Sequence, residues 1–309
     1  MVWVGLFLGI VACSSSVIFI KSTTMDPAYL AGLRLLMASL LLAPWFIRDC
    51  RRAGNIQFRR IWLSSLPAGF FLAAHFITWN EGVRLTLAAH GTLIVNMVPI
   101  ALPFLLWLTH RERVNRVEVV ATLVSMAGIA ILAMNDYHFS REHMMGDLIC
   151  FASMLLFAAY LSLGRKNRSA HSVFVYIVPV YVSASAMCLA VSLLRFEQLL
   201  DNGPRDYLMA LLLALIPGAM GHTLINNAMR HLRGQIVGVM NVSQFLFAGV
   251  LAFWVFGEAP NAVFYLVSTF IVASCVVAIL THRRPQMIDP SGKTTGSENE
   301  PVTPASTPS

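Results

Sequence analysis

Charge is what this chain has least of. Asp, Glu, Lys and Arg make up 12% of its 309 residues, against roughly 25% in soluble domains. Hydrophobic residues reach 57%, more than one globular core can hide, so a soluble fold is excluded and a lipid bilayer is the expected solvent. Paired cysteines are missing too. Cys13, Cys50, Cys150, Cys188 and Cys275 lie in or beside apolar runs with no CxxC spacing. They read as small apolar packers, with no metal site and no disulfide framework. There is no GxxxxGK[ST] loop, so ATP is not expected to drive this protein directly. No HExxH, GxSxG or pair of carboxylates marks a hydrolytic centre, and no catalytic residue or cofactor is expected. Glu81, Glu112, Glu197 and Glu258 all stand at the ends of apolar runs, which speaks against an acidic proton relay inside the membrane.

What the chain has in quantity is apolar run. Ten are legible: Val2–Ile20, Pro27–Ile47, Ile61–Trp79, Leu85–Leu108, Val117–Met134, Leu148–Leu163, Val173–Leu194, Tyr207–Met229, Ile236–Phe256 and Ala262–Leu280. The runs at 148 and 207 are the least regular. The expected fold class is an all-α integral membrane protein with ten transmembrane helices.

Two stretches repeat one another. Asn80 to Asn115 reads NEGVRLTLAAHGTLIVNMVPIALPFLLWLTHRERVN, and Asn226 to Asn261 reads NNAMRHLRGQIVGVMNVSQFLFAGVLAFWVFGEAPN. Each has Asn four residues before Arg (Asn80 and Arg84; Asn226 and Arg230), a mid-run Asn (Asn96, Asn241) and a late Trp (Trp107, Trp254). Each closes on Glu-x-x-Asn, at Glu112 to Asn115 and at Glu258 to Asn261. The copies slip by about one residue between Arg and Trp, so a bulge or break must absorb the difference. A unit this long is a duplicated half-protein, not a solenoid repeat. Five spans per half make the second half enter from the opposite face, so two inverted five-helix repeats are expected, residues 1–135 and 136–282.

Charge placement agrees. With a cytoplasmic N-terminus, fifteen Lys and Arg fall in inner loops and five in outer ones. Both termini are therefore expected in the cytoplasm. The formal charge of +7 lies between the runs and not along one face, so nucleic acid is not an expected partner. Trp3, Trp45, Trp62, Trp79, Trp107 and Trp254 all fall near run ends, where indole prefers the headgroup level. Ile10-Val11-Ala12-Cys13 looks like a lipoprotein cleavage box, but no basic n-region precedes it and the run continues to Ile20, so no cleavage is expected. Residues 283–309 have almost nothing to bury and read as a disordered cytoplasmic tail.

In Ala31-Gly32-Leu33-Arg34, in Pro99 about thirteen residues before Glu112, and in Phe256-Gly257-Glu258, the chain resembles the EamA family of the drug/metabolite transporter superfamily. The second half has Ser243-Gln244 where the family has a proline. The resemblance implies a bacterial inner-membrane carrier working by alternating access. Its partner would be a small-molecule substrate (a metabolite, an amino acid or a drug-like compound), with export as the expected direction. Two other classes stay open: a membrane-embedded enzyme on lipid-linked substrates, and a non-transporting sensor or scaffold.

Polar residues inside apolar runs are the candidate substrate-binding residues. Asn96 lies midway along the fourth run, and Gln244, with Asn241 one turn away, midway along the ninth. They come from corresponding helices and would face each other across the pseudo-axis. The plainer reading is an interhelical hydrogen bond that holds the bundle. Pro99 and Pro103 free backbone carbonyls in the fourth run, which suits a kinked helix lining a cavity, or merely a packing kink. Ser15, with Ser14 and Ser16, and Tyr160 would add hydroxyls, although Gly5-x-x-x-Gly9 beside the serines favours close helix packing. His75, His90 and His222 are the in-span groups able to relay a proton, so proton or ion coupling is possible. A histidine simply bonded within the bundle is the commoner case. Arg34, near the start of the second run, is expected to snorkel outward. Asn115 and Asn261 read as helix N-caps.

Overall fold

The structure is a computed structural model, and it describes residues 2–53, 58–110, 116–170, 172–195, 201–231, 237 and 240–281. Glu112, Asn115 and the tail at 283–309 fall outside these. Every regular element among the described residues is helical. That follows from the solvent, because an apolar chain in lipid must satisfy each backbone N–H and C=O internally.

The first run is split into α1 (Val2–Ser14) and α2 (Ser16–Lys21). The second and third runs form α3 (Pro27–Ala53) and α4 (Phe58–Leu85). The fourth is split into α5 (Ala88–Val95) and α6 (Val98–His110), and α7 (Arg116–Phe139) follows. Next come α8 (Arg141–Ala170) and α9 (Val173–Ser192). The eighth run is α10 (Pro204–Leu213), a π-helical stretch (Ala214–Gly221) around Pro217, then α11 (His222–His231). The ninth yields α12 (Gln244–Phe256) and the tenth α13 (Ala262–Thr281). Seven described helices are long and apolar enough to cross a membrane, with shorter apolar ones at Met240–Phe256 and Ala262–Ser274. These helices expose large apolar side chains, including Leu40, Phe70, Trp254 and Phe270. This is the surface expected against lipid.

Several helices outrun the apolar runs, α3 to Ala53, α4 to Leu85, α7 to Phe139 and α8 to Ala170, and two begin early. Helix α8 starts at Arg141, seven residues before the run it was read from, and the eighth run begins at Pro204. In both cases a polar residue in the first turns has a tertiary partner. Asp147 meets Thr86, and Asp206 meets Thr23.

Packing pairs the runs in a regular way. Helix α4 lies along α8, and α1 along α11 and the π-helical stretch; α3 lies along α9, α5 along α12, and α7 along α13. In terms of runs, the third meets the sixth and the first meets the eighth, while the second, fourth and fifth each meet their own counterpart. Small residues let these helices approach closely. A Cβ on Gly146 would stand 2.8 Å from the backbone of Leu85 and Thr86, and one on Gly82 would stand 3.0 Å from the Cys150 nitrogen. At Gly9 the nearest backbone atom is the Gly221 oxygen, at 3.1 Å. The Gly5-x-x-x-Gly9 patch is thus a packing face, as its spacing suggested. Gly257, at φ 71°, terminates α12 in the left-handed conformation that glycine adopts most readily.

Candidate functional site

The site is built where helices are interrupted. The fourth run breaks at Asn96 and Met97, two residues before Pro99, and the ninth breaks at Ser243. These breaks fall in the stretch where the two copies slip in register. Helices α5 and α12 pack against one another, so the breaks bring the mid-run amides together. Gln244 donates from Nε2 to Asn241 Oδ1 at 2.5 Å, and Asn241 donates from Nδ2 to Asn96 Oδ1 at 2.8 Å. Asn96 in turn donates to the carbonyl oxygen of Thr92 at 2.9 Å. Three of the seven candidate residues therefore form one continuous amide chain joining the two repeats. Asn96 and Gln244 are buried, and Asn241 is half-buried.

His75 and Tyr160 belong to a second group, a column of rings. His75 stacks on Phe157, with centroids 4.5 Å apart, and Phe157 stacks on Tyr160 at 5.8 Å. Phe157 packs against both large apolar clusters of the bundle. The His75 ring is held through Nδ1, 2.8 Å from the Ser153 hydroxyl and 3.0 Å from the Ser153 carbonyl oxygen. The same hydroxyl donates to the His75 carbonyl at 2.9 Å. This is a two-way clasp between α4 and α8, and it fixes the ring's orientation. His222, half-buried at the start of α11, lies within electrostatic range of His75 and Arg34.

Ser15 stands apart. Its hydroxyl turns back to the Ala12 carbonyl at 2.7 Å, and that of Ser14 to Ile10 at 2.7 Å. Both follow the habit of serine inside helices, competing for carbonyls of the preceding turn. Asn261 accepts the Phe264 N–H at 3.0 Å, which is the N-cap expected for α13.

Two expectations are corrected. Arg34 does not snorkel. Only 3% of it is exposed, and its guanidinium lies over the Phe76 ring, 4.0 Å from the centroid. A carboxylate also lies inside the bundle, since α8 begins early enough to bury Asp147 completely. Asp147 accepts from the Thr86 hydroxyl at 2.6 Å, with His90 Nδ1 3.9 Å from its other oxygen, and His90 stacks on Phe264. Sequence reading missed it by placing the run's start at Leu148. The signal was present in Gly146, a small residue just where one backbone presses on another.

Polar contacts among the described residues fasten both ends of the bundle. At one end Lys21 meets Glu258 at 2.5 Å and also donates to the Thr86 carbonyl at 2.8 Å. The other Glu258 oxygen accepts the Ala88 N–H at 2.7 Å, at the start of α5. Nearby, Asp206 takes the Thr23 hydroxyl and the Thr24 N–H. Arg84 reaches the Ile20 carbonyl, and Asn80 reaches that of Pro27. At the opposite end, the described cross-repeat polar contact is the Ser172 hydroxyl donating to Asp49.

The EamA-like transporter family matches residues 1–134 and again residues 144–280. The chain belongs to the EamA-like transporter family. A relative from Bacillus subtilis (strain 168), the uncharacterized transporter YxxF, is 19% identical over 223 residues, covering 72% of this chain and 71% of its own. A protein of known crystal structure superposes with a TM-score of 0.64 at 17% identity, covering 92% of this chain and 98% of that one. At such identity the likeness speaks for the fold alone. The EamA-family chain is therefore a multi-pass membrane protein of a transporter family. Two matches of the family to one chain fit the duplication seen in its sequence.

Proposed function

We propose that the protein is a secondary carrier of small organic solutes, with ten spans in two inverted halves, residues 1–135 and 136–282. The halves would rock about a central site and expose it to one face at a time. The observation that carries this reading is the amide chain from Gln244 through Asn241 to Asn96, which joins interrupted helices of opposite repeats. Interrupted helices at mid-membrane are where carriers of this kind seat their cargo. The packing pattern supports two equivalent halves, because exchanging the repeats maps its pairs onto one another, and five spans per half would make them inverted. In this reading Asn96, Asn241 and Gln244 supply amide donors and acceptors. His75, held by Ser153, with Tyr160 and His222, would line the same path, and Ser15 would mark the break in the first span.

The Lys21–Glu258 end would be the outer face of a bacterial inner membrane, with both termini cytoplasmic and export as the direction of transport. Purified protein in liposomes, given an outward gradient of each member of a broad panel of metabolites, amino acids and drug-like amines, should show saturable flux of at least one solute without ATP. Absence of flux for every member would overturn the carrier reading.

A further inference from the structure

Arg34 is a buried cation with no carboxylate counter-ion among the described residues. It is 3% exposed, and its Nη1 has no hydrogen-bond partner among the described residues. The charge neighbours that bear on it are Tyr181, Cys13 and Cys188, none of them a carboxylate. Arg84 is the instructive contrast. It is less buried, and Glu81, Asp26 and Asp206 all bear on it. The fold thus provides acid for the arginine near the surface and withholds it from the one inside.

Stacking on Phe76 offsets only part of the cost of removing a guanidinium from water. It also leaves Nη1 without a partner among the described residues, and a guanidinium edge fits a carboxylate with two parallel hydrogen bonds. Five separate runs converge here: Arg34 on α3, Cys13 on α1, His75 on α4, Cys188 on α9 and His222 on α11. Among the described residues, Arg34 is the one permanently charged side chain that bears on those cysteines and histidines. A single positive charge matches a monoanion and falls short of a phosphate dianion.

We infer that Arg34 is the anion receptor of the transport site, and that the cargo is a small solute carrying a carboxylate. This deepens the carrier reading and rests on it. The carboxylate supplies the missing counter-charge, Phe76 holds the guanidinium flat, and His75 and His222 stand beside the rest of the solute. Occupancy by substrate then completes an ion pair that the empty protein lacks.

The test compares matched acids and amides on the full chain in nanodiscs and in liposomes. The probes are benzoate and benzamide, 4-phenylbutyrate and its amide, phenylalanine and phenylalaninamide, with phenyl phosphate as the dianion. At least one acid should raise the melting temperature and be transported, with its amide and the phosphate at least tenfold weaker. Arg34→Gln should abolish that preference and Arg34→Lys should keep part of it. Without solute, Arg34→Gln should melt no lower than the parent chain, because an uncompensated charge has gone; a purely structural arginine would melt lower. The inference fails if wild-type protein treats acids and amides alike, if phenyl phosphate binds best, or if Arg34→Gln keeps the acid preference. Should neutral solutes be carried while no acid is, the carrier reading stands and the carboxylate assignment falls. Should nothing be carried, both fall.

Discussion

The Lys21–Glu258 pair is the most exposed test of the rocking motion. Its side chains are 14% and 15% exposed, and one carboxylate serves both the Lys21 ammonium at 2.5 Å and the Ala88 N–H at 2.7 Å. That N–H opens α5, where a negative charge is also favoured by the helix dipole. Glu258→Gln keeps an acceptor for Ala88 but removes the charge from both partners. A hydrogen bond to a charged group is worth about 1.5–3 kcal/mol, and partial exposure places this one at the lower end. Since about 1.4 kcal/mol is a factor of ten, the substitution should raise the outward-open population roughly tenfold. The assay places a single cysteine at Thr92 in a cysteine-less background. That residue is buried, and its hydroxyl has no hydrogen-bond partner among the described residues, so the exchange breaks no described bond. Labelling from outside by an impermeant maleimide should be about tenfold faster in Glu258→Gln, because the rate follows the open fraction. The double exchange Lys21→Glu with Glu258→Lys should restore slow labelling only in part, since a lysine would then face the start of α5. Equal labelling rates in Glu258→Gln and the parent would refute the idea that this pair holds the outer end shut.

Three further outcomes are expected. Replacing Asn96 by Leu strands the Asn241 amide and should cost only about 0.6–1.7 kcal/mol of stability, typical of one interhelical bond in a membrane. Solute flux in liposomes should nevertheless fall at least tenfold, and unchanged flux would leave the amide chain as simple glue. Ser153→Ala removes the two hydroxyl contacts of the His75 clasp, keeps the one to the Ser153 carbonyl, and should lower thermal stability in nanodiscs by about 1–3 kcal/mol. Retention of the parent melting temperature would contradict that role. Gly146→Val would drive a side chain into backbone 2.8 Å away, an overpacking cost of about 1–3 kcal/mol or more, seen as loss of the monodisperse peak on size exclusion. Gly146→Ala should do the same more mildly.

Sequence alone disclosed the helical class because an apolar run in lipid has one good way to satisfy its backbone. It also disclosed the amide chain in outline. Asn96, Asn241 and Gln244 are expensive where they stand, and corresponding positions in a duplicated chain are natural neighbours. Depth was less legible. Arg34 lies close enough to the start of α3 for a long side chain to reach the surface, and only packing against Phe76 decides that it turns inward. Asp147 was hidden by a similar difficulty. A polar residue at the edge of a run can extend the helix when a neighbour satisfies it, and hydropathy does not register the neighbour. The fastenings at the Lys21 end were out of reach for another reason, since each links residues far apart in the chain and follows from how the halves dock.

The claim on which everything rests is that the two repeats enter the membrane from opposite faces. Site-directed labelling of intact cells tests it with single cysteines in the inter-run segments, one at Ser140 between α7 and α8 and one at each terminus. The account predicts that Ser140→Cys reacts with an impermeant reagent from outside, while both terminal cysteines react only after the membrane is opened. Termini on opposite sides of the membrane would contradict it.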